Sequence, residues 1–325
     1  MAQPLKELTM ILNWANTLRK CGYFQYFSVI LQKSFRLIIT MYKIKSVIYL
    51  LLFVLMAQSC KKTDDVAPRL IIRFAFNPTQ ERLNGLGQAS PLAAGNAGQS
   101  PHFRSISAHY VELSPTMFTP LGSGEIIYKN PETTAGGDNA IDFAQAKRVA
   151  ENEIFLSIPL GEINPGTYQY LRISLSYQNY DIDVTANDIT VTGTLASFIG
   201  FNTYVQEFDI LNQSLAINDN VLQGFWAFES PYGMIQGQIP PGGVTVPNPI
   251  FSTSPIPQGS CVVTAAFDTP LIIDTSSDED ITITASLSTN HSFEWQDANA
   301  NGLYEPLLGE TVVDMGIRGM IPVVE

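Results

Sequence analysis

The chain has 325 residues, 45% hydrophobic and 15% charged, with 23 Gly and 20 Pro, a composition that excludes both a disordered tail and a polytopic membrane protein. The first 60 residues hold seven bases and one acid, leaving 11 bases against 29 acids and a net charge of −18 beyond them. After Arg172 there are 18 acids and a single base, Arg318, so the back half lacks a surface able to neutralise phosphates and argues against a nucleic-acid partner.

Residues 1–40 carry scattered apolar and aromatic side chains but neither the charged start nor the cleavage site of an export leader. Such signals act from the extreme N-terminus, so 1–40 reads as an upstream extension of the reading frame, with Met41 as the start. From Met41 the pattern changes. Lys43 and Lys45 precede the apolar run Val47 to Met56, which ends in Ala57-Gln58-Ser59-Cys60. Two bases, about ten apolar residues and a small-residue cleavage site make a signal peptide over 41–59. The run is too short to span a bilayer core, which needs about 20 residues.

A cysteine directly behind the cleavage site resembles the lipobox of bacterial lipoproteins, in particular the Ser-Cys form of Bacteroidetes lipoproteins, although Ala57 stands where Leu or Val is usual. The resemblance implies a covalent lipid on Cys60, a tether over 60–68 and attachment to the outer membrane. The run Lys61-Lys62-Thr63-Asp64-Asp65 resembles the signal that sends such lipoproteins to the cell surface, so the outer face is slightly favoured over the periplasmic one. With Cys60 acylated, Cys261 is the one cysteine left in the body 69–325; it excludes an intrachain disulfide and is expected to be a buried thiol.

From Arg69 the chain is a series of short Val-, Ile- and Tyr-rich runs between Gly, Pro and Asn turns. They begin at Leu70–Phe76 and Ile106–Leu113 and end at Ile281–Leu287. Period-two alternation is clearest in Arg172–Tyr177, where Ile173, Leu175 and Tyr177 are expected on one face, and in Ile281–Leu287. Ten or more half-buried runs in some 260 residues predict an all-β fold, an antiparallel β-sandwich, either one large or two packed. The helical signal is confined to Ile141–Asn152. Gly85–Ser100 and the Pro-rich Pro240–Pro257 read as loops.

In Gly224-Phe-Trp-Ala-Phe228, alternation sets Trp226 and Phe228 on one face and Phe225, Ala227 and Glu229 on the other. Core packing is the expectation, with a sugar-stacking surface as the alternative. His102, His109 and His291 stand apart, and neither a G-x-S-x-G elbow nor a zinc spacing occurs, so nucleophilic and zinc chemistry are poorly supported. Asp274 to Asp280 reads as a solvated turn before a strand.

The densest motif is Asp297-Ala-Asn299-Ala-Asn301-Gly302-Leu303-Tyr304-Glu305, followed by Glu310. Oxygen-bearing side chains at positions 1, 3 and 5, a Gly at 6, the carbonyl of position 7 (Leu303) and a later carboxylate can surround a hard cation. The stretch resembles the calcium loops of EF-hands, dockerins and thrombospondin type 3 repeats. It departs from them at position 12, where Leu308 replaces the bidentate Glu, so Glu305 or Glu310 has to close the shell. The alternative is a loop of Asx turns that binds nothing. Together these readings point to a lipid-anchored, non-enzymatic β-sandwich of the outer membrane with a binding or structural role. The alternative is a surface lipoprotein that binds or processes glycans in a polysaccharide-uptake system. A membrane contact through the lipid and a glycan or protein partner at the surface follow from these readings.

Overall fold

The computed structural model describes residues 67–239, 260–274 and 276–325. The upstream extension, the signal segment, Cys60 and the Pro-rich stretch 240–257 lie outside the described residues. In chain order the strands are β1 (Arg69–Asn77), β2 (Asn96–Gln99), β3 (His102–Ser114), β4 (Glu125–Lys129), β5 (Glu132–Thr133), β6 (Ala140–Asp142), β7 (Arg148–Val149) and β8 (Ile154–Pro159). They continue with β9 (Gly166–Ala186), β10 (Ile189–Phe198), β11 (Asn202–Asp209), β12 (Ser214–Leu222), β13 (Phe225–Ser230) and β14 (Gly233–Gln238). The last five are β15 (Cys261–Ile273), β16 (Ile281–Ser288), β17 (Phe293–Gln296), β18 (Val312–Met315) and β19 (Met320–Val324).

The middle sheet runs β14-β13-β10-β9-β3-β4. Its axis is β9, 21 residues long, which pairs with β3 along one edge. On its other edge β15 pairs with residues 166–175 and β10 with 177–186. A second sheet, β19-β16-β1-β8, contributes Leu70, Ile72 and Phe74 from β1 and Ile283, Ala285 and Leu287 from β16 to a core shared with Ile106, Val111, Leu171, Ile173, Leu175 and Val263 of the middle sheet. A third sheet, β12-β11-β6-β5, supplies Val205, Phe208 and Val221 to a separate core with Tyr177, Ala196, Phe198 and Ala227. The middle sheet therefore carries apolar side chains into two cores, and the arrangement is two packed sandwiches that share it. Most pairings are antiparallel as expected; β1 with β16 and β6 with β11 are parallel.

Strand β1 alternates strictly between buried and half-buried positions, the pattern of a strand with one face in the core. In β9 the alternation breaks. Ser107 faces Tyr177 and Ala108 faces Leu175, leaving Ser176 as an extra residue. A one-residue bulge moves every following side chain to the opposite face. Ile173 and Leu175 thus enter the first core, whereas Tyr177 enters the second, which corrects the expectation that all three share a face. The same shift sets Tyr180 and Ile182 in the first core and turns Asp181 toward the side of the second.

Two other readings change. Ile141–Asn152 is not a helix: it holds β6, one 3-10 turn at Phe143–Gln145 and β7, because Ile141 is taken up in the β6–β11 ladder and Phe143 is drawn into the second core among Tyr177, Phe198 and Phe208. The Gly85–Ser100 loop contains β2, which pairs with β17. β15 bulges at Asp268-Thr-Pro, between Ala266 and Leu271. The first core is closed by Phe293 and Trp295 of β17, both buried.

Candidate functional site

β17 and β18 pair antiparallel, with Trp295 opposite Val312, so 297–310 is the long loop of a hairpin. Two anchors fix it from outside: the Asp297 N–H donates to the Gly95 carbonyl at 3.1 Å and the Thr185 N–H to the Tyr304 carbonyl at 2.8 Å. From inside, the Tyr304 ring packs on Phe293 and Trp295, with centroids 5.1 and 5.6 Å away. Burial, with Glu310 nearby, pushes the Tyr304 hydroxyl above its ordinary pKa.

Within the loop, Asp297 accepts through Oδ1 from the Asn301 N–H (3.2 Å) and through Oδ2 from the Gly302 N–H (2.9 Å). The chain can turn this sharply because Ala300 and Gly302 take left-handed φ values of 56° and 74°, a region that glycine enters freely. Asn301 Oδ1 accepts from the Leu303 N–H at 2.8 Å. The carboxamide nitrogens of Asn299 and Asn301 both donate to one oxygen of Glu305, Oε2, at 2.8 and 2.6 Å. Glu310 is buried and accepts from the N–H groups of Ala298 (3.1 Å) and Glu305 (2.6 Å). A 3-10 turn over Pro306–Leu308, ended by Gly309 at φ 85°, leaves Leu308 pointing outward.

The structure thus joins Asp297, Asn299, Asn301, Glu305 and Glu310 in one network, and Leu308 at position 12 is exposed. Leu303 contributes its N–H; none of the loop's hydrogen bonds engages its carbonyl. The two amide nitrogens occupy the electropositive position beside Glu305 that a cation would take. An all-oxygen donor set, which suits a hard ion such as calcium and not zinc, requires both carboxamides to rotate and to give up the bonds that their Oδ1 atoms accept from the Asn301 and Leu303 N–H groups. The carboxylates do not suffice alone: among the described residues no group of three or more His, Cys, Asp or Glu side chains gathers at metal-holding distances, so any such site depends on the two Asn.

A second depression lies where the middle sheet emerges from under the β11–β12 turn. Asp181, Thr194 and Glu229 are successive partners across β9, β10 and β13. They form one wall and the floor of a cavity of about 250 Å³, completed by Arg104, Leu211, Asn212 and Pro231. Glu229 is buried and accepts from the N–H groups of Leu211, Asn212 and Gln213 at 2.9 to 3.1 Å. Burial raises its pKa, but these donors outweigh it and hold the carboxyl below the usual range. Asp181 Oδ1 accepts from Arg104 Nε and Thr194 Oγ1, each at 2.7 Å. No local motif marks this set, because the Ser176 bulge decides which way Asp181 points.

No known family model, curated protein or solved structure matches the chain.

The remaining sequence candidates resolve into structural parts. His109 is fully buried, and its Nε2–H donates to Glu132 at 2.9 Å. His291 sits in a turn and contacts Asn290. Burial, with Asp314 nearby, pushes the Cys261 thiol up to about 12, which leaves it a poor nucleophile at neutral pH. In the acidic run, Asp274 accepts from Ser276 and Asp280 from the Arg69 N–H, as in a solvated turn. Trp226 and Phe228, both half-buried, pack against the first core and the half-buried Phe225 against the second.

Proposed function

We propose that the chain is a lipoprotein of the outer membrane, anchored through Cys60 with the body 69–325 facing outward, whose role is binding or structural rather than catalytic. In this reading calcium closes the loop 297–310, held by Asp297, Asn299, Asn301, Glu305 and Glu310 with the carbonyl of Leu303. The observation that carries it is the convergence of both Asn carboxamides on one oxygen of Glu305 in a loop clamped to β9 and to the aromatic core. The anchor reading rests on the segment Met41 to Cys60, and an acidic body suits a soluble surface domain. Incorporation of an alkyne fatty acid in bacteria expressing the full chain tests the anchor. Label and membrane association that disappear in Cys60→Ser support it; an unlabelled, freely soluble protein overturns it. Digestion by protease added to intact cells then separates the outer from the periplasmic face.

The second reading is a glycan-binding or glycan-processing lipoprotein, favoured by the polar cavity at Asp181 and Glu229.

A further inference from the structure

From this cavity we infer a binding site for a single neutral sugar unit, a pyranose held through vicinal hydroxyls by Arg104 and Asp181 beneath the β11–β12 turn. The inference rests on the second reading above and names its ligand class. Arg104 spends Nε on Asp181, and its two terminal amino groups have no partner among the described residues. Asp181 Oδ2 has only the exposed His102 Nδ1, 3.7 Å away. A fixed guanidinium donor beside a fixed carboxylate acceptor matches adjacent hydroxyls, each of which both donates and accepts. Burial raises the Asp181 pKa, but Arg104 and Thr194 outweigh it and hold the group below the usual range, so it is an acceptor at neutral pH. Leu211, 43% exposed, and Pro231 offer apolar surface for the C–H face of the ring.

Charge narrows the choice. Two carboxylates against one guanidinium disfavour an anionic ligand. Both Glu229 oxygens are taken up by backbone N–H groups, and Arg104 repels a cation from Asp181. At about 250 Å³ the cavity falls below the roughly 300–1,000 Å³ of drug-sized pockets, which fits one sugar unit with its neighbours outside. Glu229 does not touch the ligand in this account; it positions the turn that forms the roof.

The test is titration of the full chain, in a zwitterionic detergent free of sugar, with methyl glycosides of glucose, galactose and mannose, with glucuronic acid and with putrescine, read by calorimetry and by saturation-transfer NMR. The expected result is saturable binding of at least one neutral glycoside. Arg104→Ala, at a half-exposed position, and Asp181→Asn should each weaken it tenfold or more with the melting temperature within a few degrees of wild type. Binding should be unchanged in Cys60→Ser, so failure of the anchor reading leaves this result standing. No saturation by any neutral glycoside, a preference for glucuronic acid or putrescine, or neutral binding untouched by both variants overturns the site.

Discussion

The Glu132 carboxylate offers a test of the electrostatics that hold the third sheet to the middle one. Its Oε1 accepts from the buried His109 Nε2 and from Lys129 Nζ, each at 2.9 Å, and its Oε2 from Asn139 Nδ2 at 2.8 Å. The His109 hydrogen bond, against a smaller opposing effect of burial and with help from Asn139 and Lys129, lowers its pKa from 4.5 to about 2. At 1.36 kcal/mol per pKa unit this corresponds to at most about 3 kcal/mol. Because the side chain and its Lys129 partner reach solvent, screening reduces the expected contribution to about 1–2 kcal/mol. The folded-state pKa is depressed, so this stability is full above about 4.5 and is lost as pH falls toward 2. Glu132→Gln should therefore lower the melting temperature by about 2–8 °C at pH 7 and make no difference near pH 2. Paired thermal unfolding of wild type and variant from pH 7 down to pH 2 measures it. A difference that stays constant with pH would assign the effect to packing rather than charge, and no difference at pH 7 would refute the reasoning.

Phe198 is fully buried among Phe143, Tyr177, Phe208 and Phe225, so Phe198→Ala should cost about 3–5 kcal/mol in urea unfolding; a loss under 1 kcal/mol would contradict a second core. A Cβ on Gly193 would stand 2.2 Å from the Phe228 ring and 2.7 Å from the Glu229 carbonyl, whereas one on Gly161 meets nothing within 4 Å. Gly193→Val should thus destabilise by several kcal/mol while Gly161→Ala stays within about 0.5 kcal/mol, and equal effects would show that the β10–β13 packing is wrong. Arg82 and Arg318 both bind Oε2 of the buried Glu294, at 2.5 and 2.7 Å. Glu294→Ala should cost about 3–5 kcal/mol by leaving the buried Arg82 without a carboxylate, while Arg318 keeps Asp314 at 2.9 Å; a neutral outcome in the same unfolding assay would show that Arg82 finds water.

Much of the sandwich could be read from the chain because its strands obey simple periodicity. β16 alternates apolar with polar residues over its whole length, and Leu70–Phe76 of β1 is an apolar run broken only by Arg73. The side chains that meet in the loop were also legible, since 297–310 is a local motif whose turn geometry is carried by its own side chains. What escaped depends on distant partners. Nothing near Ser176 announces the bulge, which arises in the register with β3 and decides the faces of Tyr177 and Asp181. The parallel pairing of β1 with β16 joins segments more than 200 residues apart, beyond any local pattern. Phe143 sits in a helix-like stretch, but burial in the second core outweighs its propensity. The cavity at Arg104, Asp181 and Glu229 assembles from four strands and the edges of two turns, so no spacing in the sequence encodes it.

Thermal unfolding of the full chain in EGTA and across a calcium titration, with Asp297→Ala as control, tests the closed-loop account most directly. At 100-fold excess over its dissociation constant, calcium should add about 2.7 kcal/mol, a rise of roughly 5–11 °C for a body of this size. The buried Trp295, 5.6 Å from the Tyr304 ring of the loop, should report the same transition in its fluorescence. A saturable rise that Asp297→Ala abolishes is the predicted result. An unchanged melting temperature at millimolar calcium, or a rise that survives in Asp297→Ala, would contradict it and leave 297–310 as a turn held by its own amides.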